Sequence, residues 1–331
     1  MRYVVMSAIK WGILATGGIA ATFTEDLKLL PDAEVVAVGS RSEESARAFA
    51  DRHGVPRAHG SWAELAADPE VDIVYVANTQ NAHHDAVRTC LEGGKAVLCE
   101  KAFTLNRAEA ADLVDLARER GLFLMEAMWT RCIPAVRKIM QLVEGGAIGP
   151  VQTVHADFGF SVSVPPEHRL RNPALGGGAL LDVGVYPISF AHMVLGAPAG
   201  VRSWARLTPE GVDENTGVLL GYDSGAVALL SCGITTHSPV AASISGTLGR
   251  IEIPGPFFRP DTFTVHPRAG EPKTFHLPFE GKGMLHEATE AMRCLREGLL
   301  ESPLMPWQAT LDVMGIMDEV RSQVGVRFPG E

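Results

Sequence analysis

The sequence predicts an α/β chain in two parts, a doubly wound parallel sheet over residues 1–130 and a strand-rich α+β part over residues 131–331. Three observations predict it. In the first third, short β-branched apolar runs alternate with helical patterns, the signature of repeated strand-helix-strand units. A glycine-rich turn, Thr16-Gly17-Gly18, separates the first of these runs from the first helical pattern. Beyond Gly149-Pro150 the texture changes to closely spaced strand-like segments. The length agrees, since 331 residues exceed twice the roughly 150 typical of one domain, and with 46% of them apolar two cores are expected.

In the first part the strands are predicted at Trp11 to Leu14, Val35 to Val38, Ile73 to Ala77, Ala96 to Cys99 and Leu122 to Met125. A helical run follows the glycine turn as far as Leu30. The helix before the last strand is well punctuated: Asn106 can cap it, Glu109 stands three residues on, and Ala110, Leu113, Val114 and Ala117 share a face until Gly121 ends it. A further helix is predicted from Pro134 to Glu144. Strands at Val151 to Phe158, Gly217 to Gly221, Ala226 to Ser231, Arg250 to Ile253, Thr262 to His266 and Thr274 to Leu277 follow. Two amphipathic helices, His286 to Leu300 and Trp307 to Val324, close the chain and are candidates to pack back on the first part.

Composition excludes several classes. Thirty-nine acidic against 29 basic side chains give a net charge of -10, and no basic run tracks a phosphate backbone, so nucleic acid is not an expected partner. The apolar stretch Tyr3 to Met6 falls short of the roughly 7 to 15 residues of a secretory core region. Charges and glycines interrupt every candidate for the roughly 18 apolar residues of a membrane span, so a cytoplasmic protein is expected. The patterned sequence begins only at Lys10, which makes Met6 as good a start as Met1. Five widely spaced cysteines without a C-x-x-C pair suit neither a disulfide framework nor a thiolate zinc site. His83, His84, His155 and His168 have no ligand-set spacing, and no metal is expected.

The turn after the first strand reads Ala15-Thr16-Gly17-Gly18-Ile19-Ala20, an A-x-G-x-x-A form of the dinucleotide fingerprint. Such a turn brings backbone N–H groups and the positive end of a helix to a pyrophosphate, although an ordinary tight turn would read the same way. At the end of the second strand an acidic side chain would bind the ribose of NAD. Here Ser40-Arg41-Ser42 stands instead, and Arg41 favours the 2'-phosphate of NADP. The competing reading is that Arg41 only solvates a helix start capped by Ser42.

Two clusters carry the chemistry. Glu100-Lys101 follows the fourth strand, where a lysine can hold a ribose or substrate hydroxyl or lower a neighbour's pKa. The run Gly176-Gly177-Gly178-Ala179-Leu180-Leu181-Asp182-Val183-Gly184-Val185-Tyr186-Pro187 places Asp182 and Tyr186 four residues apart, on one side if helical. A tyrosine titrates near pH 10 unperturbed, so Tyr186 as a base needs a cation such as Lys101. A solvated lysine and a buried structural tyrosine are the alternatives.

These residues resemble the glucose-fructose oxidoreductase and inositol dehydrogenase family over essentially the whole chain, through G-I-L-A-T-G-G-I-A (Gly12 to Ala20), D-P-E-V-D-I-V-Y-V-A (Asp68 to Ala77), G-K-A-V-L-C-E-K (Gly94 to Lys101) and D-V-G-V-Y-P (Asp182 to Pro187). M-E-A-M-W-T-R (Met125 to Arg131), L-G-G-G-A-L-L-D (Leu175 to Asp182) and R-C-L-R-E-G-L (Arg293 to Leu299) look most like its dihydrodiol dehydrogenase and NADP-dependent D-xylose dehydrogenase branch. The resemblance implies a Rossmann domain, an open, mostly antiparallel sheet in the second domain, and a homodimer or dimer of dimers.

It also implies Lys101 and Tyr186 as catalytic residues with Asp182 as the accompanying carboxylate, and Asn78, Thr79, His83 and Glu100 beside the cofactor. Trp129, Arg131, Phe158, Phe160 and Arg169 are placed around the substrate, with His168 nearby. Ala15, Asn78-Thr79 and Ala102 depart from the family's glycine, threonine-proline and E-K-P proline. The expectation is an NADP-dependent oxidoreductase acting on a cyclic polyol, an aldose sugar or derivative, because the donors outnumber what a hydrocarbon diol needs. A trans-dihydrodiol dehydrogenase and a non-catalytic NADP sensor are the alternatives.

Overall fold

The computed structural model describes residues 7–331; the two candidate starts and the Tyr3 to Met6 stretch lie outside them. The chain divides into two compact units. The first runs to Thr104 and includes Ala108–Ala127 and Glu280–Trp307, while the second comprises Leu105–Arg107, Met128–Phe279 and Gln308–Glu331. The chain does not pass once from one domain to the other, because a C-terminal segment returns to the first unit and the last helix continues in the second.

The first unit alternates strands and helices: β1 (Ile9–Leu14), α1 (Gly18–Leu27), β2 (Ala33–Gly39), α2 (Glu43–His53), β3 (Arg57–His59), α3 (Trp62–Ala67), β4 (Ile73–Val76), α4 (His83–Glu92), β5 (Ala96–Glu100), α5 (Arg107–Arg120) and β6 (Leu124–Ala127). All six strands are parallel, in the order β3-β2-β1-β4-β5-β6. Residues of β4 and β5 are buried throughout, which is why these strands read as unbroken apolar runs. Winding reverses between β1 and β4, and ligands of such sheets bind outside the carboxyl ends of the strands at that reversal. Gly39 lets the sheet approach α3, since a Cβ there would lie 2.8 Å from Leu65 Cβ.

The first unit departs from the sequence reading at several points. Helix α1 stops at Leu27 because Leu30 precedes Pro31, which disfavours helical backbone there. Strand β6 starts two residues late because the Leu122 N–H closes α5 by bonding to Ala117 O at 3.0 Å. Strand β3 has only three half-buried residues, Arg57 to His59, and no apolar pattern to announce it.

The second unit holds α6 (Pro134–Glu144), β7 (Val151–Gly159), α7 (Val185–Leu195), and β8 (Gly200–Leu207) through β9 (Asp213–Gly221), β10 (Val227–Gly233), β11 (Ala242–Gly246), β12 (Gly249–Ile253), β13 (Thr262–Pro267) and β14 (Lys273–His276). Its eight-stranded open sheet runs β14-β13-β12-β11-β7-β10-β9-β8, antiparallel except where β7 meets β10. Strands β8 and β11 lack a sequence prediction, the first for its charges and the second for its small residues, A-S-I-S-G. Helix α8 (Leu285–Arg296) lies in the first unit, where Asp26 of α1 accepts the N–H groups of Lys282, Met284 and Leu285 at its start. Helix α9 (Trp307–Val324) closes the chain.

By length and composition Pro173–Leu195 could cross a membrane, an 18-residue window of it having mean hydropathy 1.4, yet 78% of that window is buried inside the protein. It belongs to the second unit.

Candidate active site

The first unit presents the dinucleotide turn. The first bond of α1 runs from the Ala21 N–H to Gly17 O at 3.1 Å, so the Gly18, Ile19 and Ala20 amides precede it and have no helical acceptor. Nothing lies within 4 Å of where a Cβ on Gly17 or Gly18 would sit, which leaves backbone-level access for a diphosphate. Ala15 carries the turn at φ 121, a left-handed backbone that normally calls for glycine. Thr16 is half-buried beside it.

At the end of β2, Ser42 caps α2 by accepting the Ser45 N–H at 3.3 Å, and Ser40 Oγ accepts the Ser42 N–H at 3.4 Å. Arg41 is exposed between them, with no hydrogen bond or ion pair from its guanidinium to a described residue. The cap and the free guanidinium therefore coexist, because Ser42 performs the first task and Arg41 is available for the second.

His83 opens α4. It is 1% exposed, with Nδ1 at 3.0 Å from Ala102 O and Nε2 at 3.0 Å from Asn78 O. It is a strut joining the loops after β4 and β5, and burial holds its imidazole pKa below the ordinary value. Asn78 Nδ2 donates to Ala82 O at 3.2 Å, and Thr79 Oγ1 donates to Asn81 Oδ1 at 2.7 Å. Glu100 is buried at the end of β5, where Tyr75 OH donates to one carboxyl oxygen and the Lys101 N–H to the other at 3.2 Å. Lys101 is half-buried, and its peptide bond to Ala102 is cis.

The second unit holds Tyr186, 6% exposed near the start of α7. Its hydroxyl oxygen accepts the Trp129 Nε1–H at 3.0 Å. Aromatic rings surround it: Phe158 at 5.3 Å, Phe258 at 5.1 Å, and Trp129 at 5.7 Å from Phe258. Phe158 and Phe258 stack in parallel at 4.8 Å. Phe258 is absent from the sequence reading; its only signal is the proline-bounded pair in Pro256-Phe257-Phe258-Arg259-Pro260, and nothing in the spacing ties that loop to Tyr186.

The glycine run has a packing cause. A Cβ on Gly177 would lie 2.9 Å from Arg169 O and Asn172 O, and Gly178 has φ 120. Asp213 then accepts the Leu180 N–H at 2.8 Å, starting the helical segment, and burial pushes its carboxyl pKa up. Leu180–Gly184 forms a π-helical turn, so the simple four-residue spacing assumed for Asp182 and Tyr186 does not describe their orientation.

Two predicted substrate donors have protein partners of their own. Arg169 Nη1 donates to Asp182 Oδ1 at 2.5 Å. Arg131, 7% exposed, donates to Ser189 and faces His192, so it is an interior contact of α7 and not a free donor. His168 is exposed, its Nδ1 accepting the Leu170 N–H at 3.3 Å. Phe160 and Phe158 are half-buried and pack against the cluster of Leu170, Ala179, Val183, Cys232 and Ile234. Lys101 and its turn belong to the first unit, whereas Tyr186, Asp182, Trp129 and the aromatic rings belong to the second.

A parallel sheet with a glycine turn at its winding reversal, joined in one chain to a sheet domain carrying a tyrosine in an aromatic setting, defines a two-domain nicotinamide-dependent oxidoreductase. Comparison with known proteins gives the family. Residues 9–128 match the description "Oxidoreductase family, NAD-binding Rossmann fold", and residues 136–252 match the GFO/IDH/MocA C-terminal domain. The chain belongs to the Gfo/Idh/MocA oxidoreductase family.

It is similar to the trans-1,2-dihydrobenzene-1,2-diol dehydrogenases of Homo sapiens, 40% identical over 334 residues, and Bos taurus, 38% identical over 335 residues, each covering 97% of this chain and 98% of the relative. Among solved structures, a 3-ketoreductase from Actinomadura kijaniata in complex with NADP and TDP-benzene has a TM-score of 0.84 at 28% identity, covering 96% of this chain and 98% of that one. An aldose-aldose oxidoreductase from Caulobacter crescentus shares the fold, with a TM-score of 0.88 at 22% identity over 96% and 98% of the two chains.

Proposed function

We propose that this protein is an NADP-dependent dehydrogenase of cyclic polyols, and that its substrate is a ring with one apolar face and a vicinal diol edge, of the trans-dihydrodiol type. The observation that carries this is the setting of Tyr186, a hydroxyl held by one indole N–H among the aromatic rings of Trp129, Phe158 and Phe258. The preference for a sugar rested on the donors of Arg131, Arg169 and His168. Arg131 is buried against α7 and Arg169 gives one nitrogen to Asp182, so the aromatic rings outweigh the remaining donors.

The residues present fit the cofactor. Gly17 and Gly18 leave room for a diphosphate at the α1 amides, and Arg41 offers a free guanidinium to a 2'-phosphate. When bound, NADP supplies the acceptor for the hydride. Tyr186 then takes the proton of the substrate hydroxyl. Trp129 Nε1 can only donate, so it fixes the tyrosine oxygen without competing for its proton. Lys101 supplies the positive charge that a tyrosine base needs at neutral pH, and Glu100 anchors its backbone N–H.

Sugars form the second reading, favoured by the exposed His168 and by the fold shared with the aldose-aldose oxidoreductase. The test is a steady-state comparison, with NADP, of a benzene trans-dihydrodiol, D-xylose and D-glucose. A specificity constant for the dihydrodiol about tenfold or more above either sugar, ~1.4 kcal/mol of transition-state preference, is expected, and the inverse ratio selects the sugars. Tyr186→Phe should lower turnover by about 10²- to 10⁴-fold. Near-wild-type turnover of both Tyr186→Phe and Lys101→Ala would refute the assigned roles.

The same reading includes a homodimer in the cytoplasm. Trp204 on β8 is 85% exposed, next to the exposed Leu219 and Leu229 on β9 and β10, an apolar sheet face suited to a second copy. Trp204→Arg should halve the molar mass seen by light scattering. All five cysteines are buried free thiols, which suits a reducing compartment.

A further inference from the structure

We infer that Arg131 is a positioning residue for the acid-base tyrosine, locking the turn that carries Trp129 onto the helix that carries Tyr186. The inference rests on the reading of Tyr186 as the proton acceptor. It starts from three consecutive residues, Trp129-Thr130-Arg131, on one short 3₁₀ turn, Trp129–Cys132. Each holds a different piece of the surroundings of Tyr186. The Trp129 indole donates to the Tyr186 hydroxyl at 3.0 Å. Thr130 Oγ1 donates to Phe258 O at 2.8 Å, fixing the loop whose ring stacks on Phe158. Arg131 reaches along α7, with Nε donating to Ser189 Oγ at 3.2 Å and Nη2 to Ser189 O at 3.3 Å.

On α7 the partners stand at positions 186, 189 and 192, a three-residue step that keeps them on one side of the helix. Arg131 Nη2 lies 3.3 Å from His192 Nδ1. A guanidinium can only donate, so Nδ1 accepts and the imidazole proton sits on Nε2. That nitrogen faces Asp312 Oδ2 of α9 at 3.1 Å. Asp312 Oδ1 in turn accepts the Gln308 side-chain N–H at 2.7 Å. Burial, aided by the Arg131 charge, keeps the His192 pKa below its ordinary value, in keeping with a neutral ring that accepts from Arg131.

The chain of contacts Trp129 to Tyr186, Arg131 to Ser189 and His192, and His192 to Asp312 therefore sets the turn against α7 at several points. Only the first touches the reacting group. The others fix its geometry, and a displacement of about 1 Å at a reacting centre can cost on the order of a hundredfold in rate. A lysine cannot substitute, because one ammonium cannot reproduce the guanidinium fork that meets Ser189 and His192 together.

The test compares wild-type protein with Arg131→Lys and Arg131→Met in two readouts. The first is the ¹⁵N-indole spectrum of the full chain, with the Trp129 resonance assigned by its loss in Trp129→Phe. Both Arg131 variants should move the Trp129 resonance towards that of an indole without an acceptor, while the resonance of Trp204, on the outer sheet face, stays in place. The second is steady-state kinetics on the dihydrodiol, where kcat should fall by about tenfold to a hundredfold while KM and the NADP Kd stay within about threefold. An unmoved Trp129 resonance, or wild-type kcat in Arg131→Lys, would overturn the inference. If neither dihydrodiol nor sugar is turned over, the functional reading fails and the indole spectrum still decides the positioning role. Should Arg131→Met fail to fold, Ser189→Ala, which removes one acceptor, is expected to shift the same resonance less and in the same direction; no shift overturns the inference.

Discussion

Glu287 on α8 is 0% exposed, and neither of its carboxyl oxygens has a hydrogen-bond partner. Burial first, and then the charges of Glu100 and Asp26, hold its pKa well above the ordinary carboxyl value. The folded protein therefore keeps a proton on Glu287 at a pH where the unfolded chain has released it. Below the ordinary carboxyl range both states are protonated and the full stability is present. As pH rises from there towards the raised folded value, the unfolded state gains by ionising and stability declines by about 1.36 kcal/mol per pH unit, then levels off.

Glu287→Gln removes this titration. A buried amide without partners costs ~1–3 kcal/mol, as does a neutral carboxyl group in the same place, so the two proteins should be similar in stability near pH 4.5. Each pH unit above that should favour the variant by ~1.4 kcal/mol until the folded pKa is passed. Urea midpoints of both proteins, measured by far-ultraviolet circular dichroism at unit steps from pH 5 to 8, give the difference directly. Midpoint curves that run parallel across this range would show that Glu287 ionises alike in both states, and the argument from its burial would fail.

Ala15→Gly should stabilise the protein by ~1 kcal/mol, the left-handed φ of 121 costing about 1–3 kcal/mol in strain against the ~0.4–1 kcal/mol of added unfolded-state freedom; a lower melting temperature contradicts it. Arg41→Ala should weaken NADP binding by about tenfold to a hundredfold, through loss of ~1.5–3 kcal/mol of charge-assisted bonding, and leave NAD unchanged in calorimetry. Equal wild-type affinities for the two cofactors would remove the basis for that claim. Asp26→Ala leaves the N–H groups of Lys282, Met284 and Leu285 without their acceptor and should cost ~2–4 kcal/mol, read as faster amide exchange in Glu280–Trp307.

The first unit was legible because its determinants are local. Strand β4 is an apolar run, α5 ends at its glycine stop, Gly121, and the glycine turn lies between a strand and a helix. Elements were lost where local signal is thin. Strand β8 alternates in burial but includes Arg202 and Arg206, β11 is small and polar, and β3 has three residues. The glycine run before α7 was visible as a motif, yet its causes, the close approach of the Arg169 and Asn172 carbonyls and the Asp213 acceptor, come from segments elsewhere in the chain.

Residue types in the candidate site were legible in the same sense and their partners were not, and the partners decide what each residue does. Arg131 and Arg169 read equally as donors for a polyol, but a donor serves a ligand only if the fold leaves it unspent. Arg131 is buried and committed to Ser189, whereas Arg169 gives one nitrogen to Asp182 and stays exposed. Arg41 is the converse case: Ser42 satisfies the helix start, so the guanidinium beside it stays available. Glu287 shows that a contradiction in local pattern can itself be a signal. It shares a helical face with Ala288, Ala291 and Cys294, an acid in an apolar stripe. An acid at such a position must either find a partner or keep its proton. No partner reaches it, so the proton is the remaining solution, with Glu100 next to Lys101 close enough to feel its charge.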